Sequence, residues 1–358
     1  MPSLKEIKGR INSISSTLAI TSAMKMVAAA KLQKAQMAIQ NMLPYERRLH
    51  SMLIDLMGAM NISAAASEDG SVRGSGSAER GFDQSGDRLS LSNRHDLAGM
   101  DGAYSLMAQR EVRKVAIVAF ASNSSLCGAF NSNAIREATA VINEYRASGL
   151  GDADITVYSV GRKMAEAMKK LGFPSPADFT KMSDSPSYDA ASALAQELFD
   201  GFVSGRFDKV ELVYNHYKST SSQPTTRQTY LPLSLADATA DIQVGKITDS
   251  ASESDTNRGA EPVGAPVVRQ GSPTTEDLIV EPSKEELIAT LLPKVVRLRV
   301  FTTLLDSTAA EHAARTVAMQ LATDNGNDLL QELTLEYNKG RQQKITSEIL
   351  DIVGGSMQ

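Results

Sequence analysis

The first sixty residues carry an apolar position at alternating steps of three and four. Starting from Leu4, the positions are Ile7, Ile11, Ile14, Leu18, Thr21, Lys25, Ala28, Leu32, Ala35, Ile39, Met42, Glu46, Leu49, Leu53, Leu56 and Met60. Only Thr21, Lys25 and Glu46 are polar, and the apolar count is about twice what chance would give. A repeat averaging 3.5 residues predicts one long helix over 1–60 with a coiled-coil seam. Pro44 falls inside it, but the frame resumes at Leu49, so a kink is expected there rather than an end. The other end of the chain supplies a partner. Ser283-Lys-Glu-Glu286 is a capping signature, in which a serine hydroxyl and a glutamate three residues on can each satisfy a free N–H. Beyond it glycine occurs only at Gly326, Gly340, Gly354 and Gly355, and proline only at Pro293. A helix over 283–358 would run roughly 100 Å, which no domain of this size can bury, so it must pair with the first helix, head against tail.

Between the helices the pattern changes twice. Segments 63–105 and 236–275 are rich in Ser, Gly, Ala and scattered charge, with too little apolar surface to offset ordering entropy, and read as insertions. Segment 110–233 alternates strands and helices. Strands are expected at 112–121, 155–160 and 209–215, with helices at 132–146, 162–171 and 189–204. An antiparallel edge strand is expected at 225–233, with Pro232 at its end. Residues 276–282 return the chain to this domain. The fold class is therefore α plus α/β: a long antiparallel coiled coil of the terminal helices with a small doubly wound, Rossmann-like domain.

Composition narrows the chemistry. The chain has 358 residues, no tryptophan and a net charge of −5, which argues against general nucleic-acid binding. One cysteine, Cys127, excludes an internal disulfide framework. No apolar run is long enough to span a membrane, and the start, Met-Pro-Ser-Leu-Lys-Glu, has no signal core, so the protein is expected to stay where it is made. The turn 122–131 lies where such a fold would hold a phosphate, but it has neither a Gly-x-Gly-x-x-Gly nor a Walker lysine pattern. Cys127 would need a histidine beside it to act as a nucleophile, and His50, His95, His216 and His312 are scattered. No cofactor, metal site or catalytic group is expected. Two features point to mechanics instead. Ile20, Met24, Met26 and Val27 lie off the seam, so this helix is apolar nearly all round, which suggests a collar of partner protein. The alanines at 309, 310, 313, 314, 318 and 322 allow close helix approach and a thin rod. Residues 1–60 carry a net +5 and 283–358 a net −2, so the basic helix suits an acidic partner.

Several stretches, taken in order, resemble the gamma subunits of F-type ATP synthases. They are Met24-Lys-Met-Val-Ala-Ala-Ala-Lys-Leu-Gln-Lys-Ala-Gln36, Leu126-Cys-Gly-Ala-Phe-Asn131, Glu311-His-Ala-Ala-Arg-Thr-Val-Ala-Met319, Ala322-Thr-Asp-Asn325 and Tyr337-Asn-Lys-Gly-Arg-Gln-Gln-Lys-Ile-Thr346. The sequence departs from that pattern at Asn123-Ser-Ser125, where the family usually has a charged pair, and in both insertions. A single cysteine also cannot form the redox pair of chloroplast members. The resemblance implies a rotor shaft that catalyses nothing itself. Its partners would be the alpha and beta subunits of the catalytic head, the epsilon subunit and the membrane c-ring, on the cytoplasmic face of a bacterial inner membrane. Met24, Lys25, Arg341, Gln342 and Thr346 would contact the beta subunit. The segment containing Tyr214, Asn215 and Gln223 would face the ring and epsilon. A non-rotary coiled-coil adaptor would use the same seam.

Overall fold

The computed structural model describes residues 3–68, 106, 110–233, 281 and 283–356. The expected insertion at 236–275, and 276–282 apart from Glu281, lie outside them. So does 63–105 beyond Glu68, apart from Leu106 just past its end.

Two helices dominate. Helix α1 spans Leu4–Glu68 and α6 spans Lys284–Ser356, 65 and 73 residues. At 1.5 Å per residue they run about 98 and 110 Å. Ser283 caps α6, its hydroxyl accepting from the Glu286 N–H at 3.1 Å. Pro44 and Pro293 sit inside the helices and end neither. Helix α1 runs past residue 60 into the stretch expected to be an insertion, because Ala64, Ala65 and Ala66 are strong helix formers.

The pairing is antiparallel. Leu4 meets α6 at Gly340, Leu18 at Gly326, Lys25 at Gln320 and Glu46 at Thr302. Every described seam position is buried or half-buried. The three polar ones also face α6. Lys25 Nζ donates to Gln320 Oε1 at 2.8 Å, Thr21 and Thr323 hydroxyls lie 3.1 Å apart, and the Thr302 hydroxyl donates to Glu46 Oε1 at 3.0 Å. A partly buried polar group needs such a partner, and here each partner also fixes the register.

Against the lower part of this pair sits a four-stranded sheet of order β2-β1-β3-β4. Strands β1 (Val115–Phe120), β2 (Ile155–Val160) and β3 (Lys209–Asn215) are parallel, and β4 (Thr225–Leu231) closes the edge antiparallel to β3. The helices α2 (Phe130–Ala147), α3 (Arg162–Lys170), α4 (Thr180–Asp184) and α5 (Tyr188–Val203) connect them. β1 is buried at every position because both faces are covered. Val115, Ile117 and Ala119 pack with Ala138 and Ile142 of α2 and Met164 of α3. Ala116, Val118 and Phe120 pack with α5, Leu49 and Leu53 of α1, and Leu292, Val296 and Leu304 of α6. The shaft helices thus form part of the domain's own core. Strand β1 is shorter than expected, Val115–Phe120, although Ala121 N still donates to Val160 O and Lys114 O still accepts from Asp208 N, both at 2.8 Å. The single turn α4 has no periodic signature in five residues.

Gly161 makes the β2–α3 turn possible. Its φ is +98°, and a Cβ there would stand 2.0 Å from the Ala121 carbonyl oxygen. No side chain fits. β3 also carries a charge into the interior. Glu211 is buried, yet it is held by Lys209 Nζ at 2.7 Å, Arg227 Nε at 2.7 Å and the Tyr145 hydroxyl at 2.6 Å. Burial alone would raise that carboxyl, but these donors hold it below the usual carboxylate range.

Candidate functional site

Three regions carry the features that a shaft would need. The first is the free end. Leu4 lies against Gly340, so α6 continues beyond the start of α1. From Gly340 to Ser356 this overhang is about 24 Å long. Residues 341–353 are all exposed. Ile345, Ile349 and Ile352 recur at helical spacing and are 47%, 55% and 72% exposed. Water does not favour a single helix with such a stripe, which marks a surface for another protein. Arg341, Gln342 and Thr346 lie on this overhang, with the Thr346 hydroxyl donating to Gln342 O at 2.9 Å.

The second region is the off-seam face of α1. Ile20, Met26 and Val27 are each more than half exposed, whereas Met24 is half-buried. Lys25 is also half-buried, because it turns inward to Gln320. Met24 and Lys25 therefore do not share the exposure of their neighbours, and only the edges of their side chains are open.

The third is the joint between sheet and shaft. After β1 the chain turns at Leu126, whose φ is +69°, and at Gly128, φ +59°. A left-handed leucine costs on the order of 1–3 kcal/mol. The strain turns Leu126 outward and Cys127 inward, against Phe130 and Ala310. The polar neighbours of Cys127 are Ser122, Ser124 and Asn131. It is a packed side chain with no base beside it.

Arg315 of α6 reaches into the same turn, Nη1 donating to Ser125 O and Nη2 to the Ser124 hydroxyl, both at 2.7 Å. It also pairs with Glu311 one helical turn away. Both residues are buried. Burial would raise the Glu311 carboxyl, but His312 and Arg315 hold it below the usual range. His312 Nδ1 lies 2.7 Å from Glu311 Oε2. The departing stretch Asn123-Ser-Ser125 has a structural role here. Asn123 Oδ1 accepts from the Arg162 N–H at 2.7 Å, and its Nδ2 donates to Thr180 O at 2.7 Å.

The segment expected to face a ring follows the course of β3 along the helix pair. β3 climbs the shaft, with Tyr230, beside its start, bonded to Val296 O and His216, past its end, bonded to Asp306. Tyr214 and Gln223 therefore sit at the end of the sheet nearer the free tip of α6, half-buried. Asn215 is buried, its Nδ2 donating to Phe130 O at 3.2 Å, and offers no surface. The alternating pattern predicts the strand but not its direction along the shaft.

The alanines also do more than thin the rod. Ala309 and Ala313 face Leu32 and Ala35 of α1, while Ala310 faces Cys127 and Phe130, so α6 is approached closely from two sides.

The ATP synthase family model matches residues 3–357. The chain is 47% identical over 357 residues to an ATP synthase gamma chain of Phocaeicola vulgatus, covering 100% of both chains. It is 39% identical to an ATP synthase gamma chain of Parabacteroides distasonis, covering 99% of each. The chain belongs to the ATP synthase gamma-chain family. Its role is that of the central rotor shaft. It is also similar, at 18% identity and a TM-score of 0.49, to a rotor chain of the Euglena gracilis mitochondrial ATP synthase, covering 96% of this chain and 98% of that one. Among the described residues no helix is long and apolar enough to cross a membrane.

Proposed function

We propose that this gamma chain is a non-catalytic axle whose free end turns inside the alpha and beta subunits of the catalytic head. The carrying observation is the overhang of α6 past Leu4, with its exposed Ile345, Ile349 and Ile352. Arg341, Gln342 and Thr346 on that overhang, and the open edges of Met24 and Lys25, are the proposed contacts with the beta subunit. The c-ring and epsilon subunit are proposed at the opposite end of the molecule. With the ring at that end, Tyr214 and Gln223 would lie on the side of the sheet away from it, and Asn215 is buried. The driving work is about 2.3 kcal/mol per charge per 100 mV. The proposed location is peripheral, on the cytoplasmic face of a bacterial inner membrane. No nucleic acid and no cofactor enters this reading.

Truncation after Gly340 tests it in the assembled complex. An axle loses coupled synthesis or assembly when the overhang goes. A coiled-coil adaptor held by its globular part keeps both, and that result would overturn the proposal.

A further inference from the structure

The residues just after β3 touch both shaft helices and the sheet at once. His216 Nδ1 lies 2.6 Å from Asp306 Oδ2, and the Tyr217 N–H donates to Asp306 Oδ1 at 2.9 Å. One carboxylate of α6 is thereby gripped twice. The Tyr217 hydroxyl accepts from Gln36 Nε2 of α1 at 2.6 Å. Its side chain packs against two groups: Leu32, Ala35, Ala309 and Ala313 on the helix pair, and Cys127 and Phe130 on the sheet domain. Asn215, immediately before, is bonded to the start of α2.

A load applied to the sheet domain tends to roll it about the shaft. Apolar packing is non-directional and lets surfaces slide with little change in buried area. Hydrogen bonds weaken steeply with angle and distance, so directional ties resist rolling where area does not. The apolar face shared with Leu292 and Val296 supplies area; Arg315 and Tyr230 tie the sheet domain to α6 alone, and Tyr217 adds the directional tie that also reaches α1. Because Gln36 and Asp306 stand on different helices, the tie also keeps α1 and α6 from turning past each other.

We propose that Tyr217, gripped by Gln36 and backed by the His216–Asp306 pair, is the positioning residue through which the sheet domain and the helix pair turn as one body. This rests on the rotor role. Tyr217 touches no reacting atom, and its effect is on transmission.

The test uses the complete complex in proton-tight vesicles. Paired substitution Tyr217→Ala with Asp306→Ala should leave ATP hydrolysis within about twofold of wild type, while protons moved per ATP against a preset opposing gradient fall at least about threefold. A second pair, Gln36→Cys with Tyr217→Cys, should show the same loss. A bismaleimide bridge between the two thiols should restore it, both variants being made in a Cys127→Ala background because Tyr217 packs against Cys127. Conservative Tyr217→Phe, which keeps the wedge, should lie between. An unchanged proton-to-ATP ratio in the first pair overturns the proposal. So does a parallel fall of hydrolysis and pumping that the bridge does not reverse, since that marks a merely structural contact. The wild-type complex in the same vesicles separates the two readings: if it fails to pump, the rotor role fails first.

Discussion

Lys25 of α1 and Gln320 of α6 are joined across the seam, Nζ to Oε1 at 2.8 Å. The lysine that the family resemblance assigns to a partner is thus also a strut of the shaft. The two roles separate by measurement. Lys25→Ala removes one hydrogen bond to a half-buried charge, worth about 1–2 kcal/mol. Urea unfolding of the full chain should show no more than that. If the beta subunit also uses this side chain, coupled synthesis in the complex should fall by more than the stability change explains.

Gly326 tells how tightly the rod is wound. A Cβ there would come within 2.6 Å of Leu18 Cδ2. Replacing a helix-interior glycine by alanine gains up to about 1 kcal/mol of propensity. The contact opposes that gain, so Gly326→Ala should stabilise the chain less in the wild type than in a Leu18→Ala background. A double-mutant cycle by urea unfolding should give a coupling of about 0.5–1 kcal/mol. Additive behaviour would show that Leu18 swings away freely.

These helices show what a sequence can and cannot disclose. The seam from Leu4 to Leu56 was legible because one buried stripe recurs at a fixed period, and Ser283 announced its own cap. The offset of the helices was not, since periodicity is silent about which residue faces which. The overhang beyond Gly340 therefore appeared only in three dimensions. The site residues followed the same rule. Arg341 and Gln342 were placed by likeness and proved exposed, whereas Asn215 sits on a strand end whose burial depends on Phe130, distant in sequence. Tyr217 and Asp306 carried no signal at all. Glu311 and Arg315, four residues apart on one helix face, did carry one: an i,i+4 charge pair amid alanines is an unusual thing to bury.

The His216–Asp306 pair gives the joint a dependence on pH. The hydrogen bond and charge of Asp306 raise the imidazole above its ordinary value, against burial and the nearby Lys218. A raised folded-state value means that the stabilisation is fully present below about pH 6.5, the unfolded value, and is lost as pH rises through the folded one. Unfolding by urea from pH 6 upward should show stability declining over that window. In His216→Gln this part of the slope should disappear. Asp306→Asn should remove it as well, since the amide still accepts from Tyr217 but no longer attracts the imidazolium.

Arg315 poses the sharpest question about stability. Its guanidinium is divided between Glu311 and the turn at Ser124 and Ser125, and both charges are buried. Removing Arg315 leaves Glu311 buried with only His312 beside it, a cost of up to about 3–5 kcal/mol. Arg315→Ala should therefore lower the unfolding free energy by an amount of that order. The pair need not be worth as much as its breaking costs. Replacing both, with Glu311→Gln and Arg315→Gln, removes the stranded charge and should recover about half or more of the loss. Urea unfolding of the three chains decides the matter. If the double variant is as unstable as Arg315→Ala, the loss comes from the hydrogen bonds to the Leu126 turn, and the turn itself depends on them.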